Sequence, residues 1–311
     1  MVLSLRSLQK LQRDTGFNIN FLEKVHHITR ILSGIFSHKQ IRENVALKGG
    51  TALNFIYLDV PRLSVDLDLN FIGAVEKEEM LRKRAEVSKE ILKLADSLGY
   101  KVSKRPESYI MERLLLKYRM LSGLSDSIRL EINYLDRVPV IKIIHKTFDH
   151  IFDLEKFKVI TYTIEEIAAM KTKAMVERLY ARDILDIYNI SQLKLDNVML
   201  KKLMILYILM ARKKPDINDL ISKIKEYNDK EMIKAIKPFI REGQERSLDP
   251  VLIKRSVESF FKTVFVLDDS DLEFMESLKS GKLNLKILFG KLDFNPRAER
   301  HPPLIRALSQ K

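Results

Sequence analysis

Between Ala46 and Phe71 the chain reads ALKGGTALNFIYLDVPRLSVDLDLNF, a stretch that few folds can accommodate. From Ser64 to Phe71 polar and apolar residues alternate strictly. Val65, Leu67, Leu69 and Phe71 therefore face one side of a strand, and Ser64, Asp66, Asp68 and Asn70 the other. Residues two apart on a strand face lie roughly 6.5 to 7 Å from each other, so two carboxylates can converge on one hard cation. Upstream, Val45 to Leu47 predicts a strand that ends at Gly49 and Gly50, with Thr51 as N-cap of a helix over Ala52 to Leu58. Backbone N–H groups at such a turn stabilise a phosphate. A phosphate cradle and a carboxylate pair are thus expected in one compact unit.

The 311 residues, 46% of them hydrophobic, suffice for two domains. Apolar runs are short and broken by charge, so no membrane span is expected. The N-terminus lacks an apolar leader with a cleavage site, and the expected location is cytoplasmic. With no cysteine, disulfides, thiolate metal sites and cysteine nucleophiles are excluded. A net charge of +13 either serves a polyanionic partner, which the phosphate-ready turn favours, or only keeps the protein soluble, while the lack of tryptophan argues against a base-stacking platform.

Residues 4 to 40 read as helical, with Phe21, Val25, Ile28, Leu32 and Ile35 on one apolar face. Glu76 to Leu98 predicts a long amphipathic helix closed by Gly99. Strands are expected over about 109–120, 126–135 and 139–145, in a mixed or antiparallel sheet. From Thr163 the pattern is helical almost to the end, with breaks at Pro215, 241–250 and Asn295-Pro296 and a loosely held tail from Asn295. The expected division is a domain over 1–160 and a helical domain over 161–311.

A third carboxylate on a neighbouring strand would complete such a metal site, and Glu131 is the candidate. Arg129, Glu131 and Asn133 share one face of their strand, and Ile128, Leu130, Ile132 and Tyr134 the other. The alternative is a surface glutamate paired with a cation across the sheet. On the helix from Ile164 to Leu179, Lys171 falls inside the apolar stripe of Ile164, Ile167, Ala168, Ala174 and Met175. It either snorkels at a core edge or offers its charge to a triphosphate. Asp183 and Asp186, three apart, can orient Lys171, Arg178 or Arg182, approach the metal site, or serve the helix dipole. His26 and His27 lack ligand-spaced companions and read as structural. Lys201-Lys202 and Arg212-Lys213-Lys214 either form a track for nucleic acid or solvate helix ends.

These motifs resemble the AbiEii/AbiGii family of nucleotidyltransferase toxins, within the DNA polymerase β-like nucleotidyltransferase superfamily. LKGGTAL at Leu47 to Leu53 is similar to its G-[SG]-T-A-L element, and Arg62 to Asp68 to its R-x-S/T-x-D-x-D element. Glu165 to Lys171, Arg178, and Arg182 to Tyr188 resemble its helical E-E-x-x-A-x-K, R and R-D-x-x-D-x-Y signature. The resemblance covers about residues 45–190. It implies an α+β fold: a polymerase-β-like nucleotidyltransferase mixed sheet flanked by helices, then a helical domain, with triphosphate and acceptor in the cleft between them. It implies metal binding (Mg²⁺ or Mn²⁺) by Asp66 and Asp68, with Glu131 in place of the family's frequent aspartate. Lys48, Gly49, Gly50, Thr51, Ser64 and Arg182 would hold the NTP, and Lys171 with Asp186 would be the essential helical pair. The implied reaction transfers NMP from an NTP to an acceptor hydroxyl, with RNA, notably tRNA, as acceptor and a cognate antitoxin as partner. Nucleotidylation of a small molecule or a protein, and a non-catalytic nucleotide- or RNA-binding module, remain the alternatives.

Overall fold

The alternation around Asp66 builds the centre of a seven-stranded mixed sheet. The protein is seen in a computed structural model, which describes residues 3–104, 108–152 and 155–308. The chain divides into two compact units. The first comprises 1–137, 143–161 and 237–246, and the second 138–142, 162–236 and 247–311.

The first unit opens with helices α1 (Leu5–Thr15), α2 (Ile19–Ser37) and α3 (Lys39–Arg42). Strand β1 (Val45–Leu47) leads through α4 (Gly49–Ala52) to β2 (Asp66–Phe71) and the long helix α5 (Lys77–Ser97). Then follow β3 (Lys101–Lys104), β4 (Met111–Arg119), β5 (Ser125–Asn133), β6 (Ile144–Phe148) and β7 (Phe157–Thr161). The strand order is β3-β4-β5-β2-β1-β7-β6. The β2–β5 and β1–β7 pairs are parallel and the rest antiparallel. Leu67, Leu69, Leu114, Leu116, Ile128, Leu130 and Ile132 are fully buried. Each such burial contributes roughly 1.5–3 kcal/mol. Helix α2 packs on β5 and β7, and α5 on β3. The other face of β3, β4 and β5 alternates to exposed and half-buried residues.

Two expectations from periodicity fail for identifiable reasons. The segment 139–145 is not a strand before Ile144. Pro139 has no N–H to give, and the amides of Val140 and Ile141 donate to the Glu166 carboxylate (2.7 and 3.2 Å) instead of to a ladder. The helix over Ala52 to Leu58 is instead the end of α4 followed by a π-helical turn, Leu53–Tyr57. Within it Leu58 N–H reaches the Leu53 carbonyl (3.1 Å), and the Asn54 side chain donates to the Gly50 carbonyl (2.9 Å).

The second unit is helical: α6 (Ile164–Arg178), α7 (Ala181–Ile190), α8 (Asn197–Met210), α9 (Asn218–Glu226) and α10 (Asp229–Ile236). Then come α11 (Pro250–Val264), α12 (Asp269–Lys279), α13 (Leu285–Phe289) and α14 (Pro302–Leu308). Helix α8 is buried on nearly all sides. The Lys201-Lys202 pair is therefore no surface track. Both ammonium groups are buried and bond Asp268 and Asp271 at 2.7–3.0 Å. Burial pushes the Asp268 carboxyl upward, but hydrogen bonds from Lys201, Ser270 and Lys202 outweigh it and hold the group well below its usual range. The chain from Asn295 is held rather than loose. Asn295 donates to the carbonyls of Pro139 and Val140 (2.8 Å each), and Ala298, His301 and Leu304 are buried. Positions 309–311 of that tail lie outside the described residues. No helix of the described residues is long and apolar enough to cross a membrane.

Candidate active site

Gly49 and Gly50 sit where no side chain fits. Gly49 adopts φ +71°, and a Cβ there would lie 2.5 Å from Asp68 Oδ2, so the carboxylate packs directly on the turn. A Cβ on Gly50 would lie 2.8 Å from Ser64 Oγ and 2.9 Å from Arg62 Nη2. Helix α4 begins at Gly49, with Lys48 at the N-cap position and no side-chain cap. The first-turn N–H groups of Gly49, Gly50 and Thr51 thus precede the helical ladder. Thr51 is not the N-cap. It is fully buried, its hydroxyl donates to the Asp66 carbonyl (2.6 Å), and it lies 3.1 Å from Ser64 Oγ. Lys48 N–H donates to the Asp68 carbonyl (3.0 Å), tying the turn to the strand at a second point.

Asp66 and Asp68 are half-buried on the polar face of β2, as the alternation requires. Parallel pairing sets Asp66 opposite Arg129 and Asp68 opposite Glu131. Arg129 Nη2 lies 2.8 Å from Asp66 Oδ2, and Arg129 Nε 3.8 Å from Glu131 Oε1. Arg113, opposite Glu131 on β4, donates to Glu131 Oε1 at 3.0 Å. Partial desolvation works against the Arg129 charge, but the Asp66 hydrogen bond and the charges of Asp66, Glu131 and Asp68 outweigh it. Glu131 is in register with the pair, yet it is engaged by arginines. Among the described residues no three His, Asp or Glu side chains are grouped closely enough to hold a metal ion together. The two aspartates nonetheless suit a hard cation, being oxygen donors on one face beside a cradle that a Cβ would fill.

In the helical unit Lys171 is 8% exposed and lies between two acids, 3.0 Å from Asp183 Oδ1 and 2.6 Å from Asp186 Oδ2. Asp186 is fully buried. Arg178 Nε approaches Asp183 Oδ2 at 3.5 Å while its guanidinium stacks on Tyr180. Arg182 stands half-buried on the first turn of α7.

Three side chains escaped the sequence analysis. Arg129 was read only as a face-mate of Glu131, yet it holds Asp66. Arg62, inside a quoted motif, is buried against Gly50 and donates to the Leu63 carbonyl (3.0 Å). Glu166, fully buried, accepts from two amides and from the Tyr207 hydroxyl (2.9 Å). Burial raises its carboxyl to about 7 against the pull of those donors. His26 and His27 are packing residues: His27 lies against Tyr118, ring centres 3.9 Å apart, and desolvation lowers both imidazoles to about 4.

The mixed seven-stranded sheet and the helices around and after it make a nucleotidyltransferase fold. It is similar to that of the MenT4 nucleotidyltransferase toxin of Mycobacterium tuberculosis H37Rv, at 16% identity over 88% of this chain and 93% of that one, with a TM-score of 0.65. No curated protein matches the sequence. The chain belongs to the family of AbiEii nucleotidyl transferase toxins of type IV toxin–antitoxin systems, whose family model matches residues 30–303.

Proposed function

We propose that this toxin transfers NMP from an NTP to a hydroxyl of RNA, tRNA in particular, in the cytoplasm, and that a cognate antitoxin counters it. The observation that carries the reading is the contact of Asp68 with Gly49, which joins a carboxylate pair to a turn of first-position amides. Lys48, Gly49, Gly50, Thr51 and Ser64 would seat the phosphates, with Thr51 contributing its N–H because its hydroxyl is already committed. Asp66 and Asp68 would hold Mg²⁺ or Mn²⁺, and Glu131 would join them once Arg113 and Arg129 let it go. The bound ion would offset triphosphate charge.

In the reaction the acceptor hydroxyl oxygen would bond to the α-phosphorus as the bond to pyrophosphate breaks in line, and the hydroxyl proton would pass to solvent. Arg129, half-exposed and paired with Asp66, would exchange that carboxylate for a phosphate group, which can accept both guanidinium N–H bonds through two oxygens. In the helical unit Lys171 and Asp186, 2.6 Å apart, would be the essential helical pair, and Arg182 would be a further NTP-binding cation.

The test is incubation with Mg²⁺ and each α-labelled NTP, with and without tRNA, alongside Asp66→Ala and Asp68→Ala. Label on RNA from wild type alone is the expected result. Full transfer by either variant would sink the carboxylate assignment. Label on protein or small molecule without RNA would replace the acceptor, and binding without transfer would leave a non-catalytic module.

A further inference from the structure

The open face of the sheet reverses its charge as it runs from β2 to β3. Beside Asp66 and Asp68 stand Arg129 and Glu131, and Arg113 is next to Glu131. Beyond them, on the same strands, come Lys117 and Arg119 of β4 and, opposite Lys117, Lys101 of β3. Residues paired across strands share a face, so five exposed cations occupy one surface that begins at the aspartates.

Two of them are set against each other. Lys101 and Lys117 are directly opposed, with Cβ atoms roughly 4.5–5.5 Å apart, an arrangement that destabilises a sheet unless an anion is shared. Neither lysine, nor Arg119, forms an ion pair with any described residue. Elsewhere the chain neutralises adjacent lysines closely, as Lys201 and Lys202 are by Asp268 and Asp271. The run from Arg113 to Arg119 spans about 20 Å of strand, too long for one triphosphate. Between the cations lie Ser103, Ser127 and the half-buried Leu115, with no aromatic ring for a base; the exposed Leu121 and Leu124 sit past Arg119 at the β4–β5 turn, outside the run of charges. What remains is a polyanion with charges repeated along its length.

We propose that the face formed by β3, β4 and β5 is the track for the phosphodiester backbone of the acceptor RNA, with Lys101, Lys117 and Arg119 as its outer contacts. The proposal rests on the RNA-acceptor reading above and adds the surface that carries it.

The experiment measures tRNA binding by the full chain across a salt series, for wild type and for the triple variant Lys101→Gln, Lys117→Gln, Arg119→Gln. Each lost phosphate contact lowers the slope of log K against log salt by about 0.7–0.9, so the triple variant should lose about 2–3. Its KM for tRNA should rise roughly tenfold or more, with KM for the NTP unchanged. Its thermal midpoint should hold or rise, because the opposed lysines are relieved, whereas a structural role would lower it. Lys117→Gln alone should lose about one contact's slope and guards against misfolding of the triple variant. Unchanged slopes in both variants, with wild type binding tRNA, would overturn the track and leave the RNA reading intact. Wild type that neither binds tRNA in a salt-dependent way nor labels it would remove the RNA reading and the track with it.

Discussion

Two groups of opposite charges answer different needs. On the open sheet face Arg129 and Asp66 meet at 2.8 Å with their side chains 49% and 23% exposed. In the helical unit Lys171 and Asp186 meet at 2.6 Å, 10% and 0% exposed. Water competes for the first pair and screens it, so the partners can be exchanged at small cost. The second pair has lost its hydration, and removing one member strands the other in a poor solvent. Similar distances therefore describe an exchangeable contact in one place and a fixed one in the other.

The sharpest way to break this contrast is Lys171→Met, which takes the buried ammonium from Asp186 and leaves Asp183 with the more exposed Arg178. We expect a loss of about 3–5 kcal/mol in denaturant unfolding. A loss below about 1 kcal/mol would put the two pairs in the same class. Next in size is the pH response of Glu166. Its folded value, about 7, lies above its ordinary value of 4.5. The folded state therefore holds the proton more tightly. The resulting stabilisation is full below about pH 4.5 and is lost as pH rises through 7. It amounts to at most about 3 kcal/mol. Thermal midpoints across that range should fall with pH in wild type and lose this slope in Glu166→Gln; parallel curves would refute the assignment. The smallest stability effect is expected for Arg129→Gln, under about 1 kcal/mol, with a raised KM for the NTP. A destabilisation like that of Lys171→Met would show that the sheet-face pair is structural.

Part of the local arrangement around Asp66 and Lys171 was legible because it depends on near neighbours in sequence. Alternation alone put Asp66 and Asp68 on one face, and the apolar stripe put Lys171 inward, though its pairing with Asp183 and Asp186 was only one of several readings of those acids. The Gly-Gly turn was legible too, since paired glycines after a short apolar strand mark a turn, whereas the packing of Asp68 on Gly49 was not. What escaped depends on pairing between distant segments. Arg129 meets Asp66 only through the parallel register of β2 and β5. Lys201 and Lys202 looked like surface charge because Asp268 and Asp271, about seventy positions on, reach them only through tertiary packing. The apolar run at Val140 and Ile141 read as a strand because Glu166 claims its amides from another element. The strands β3, β6 and β7 are four or five residues long, too short to carry a firm period.

The parallel pairing of β2 with β5 also sets a schedule. Strand β2 lies beside β5 and β1, and β1 in turn beside β7, which ends at Thr161. A ribosome must therefore deliver α5, β3 and β4 before Asp66 acquires its neighbour, and about half the chain before the sheet closes around β1. For a member of a toxin family this postpones the assembled acidic face until well after its aspartates are made. An unfinished chain carries the residues of the site without their arrangement.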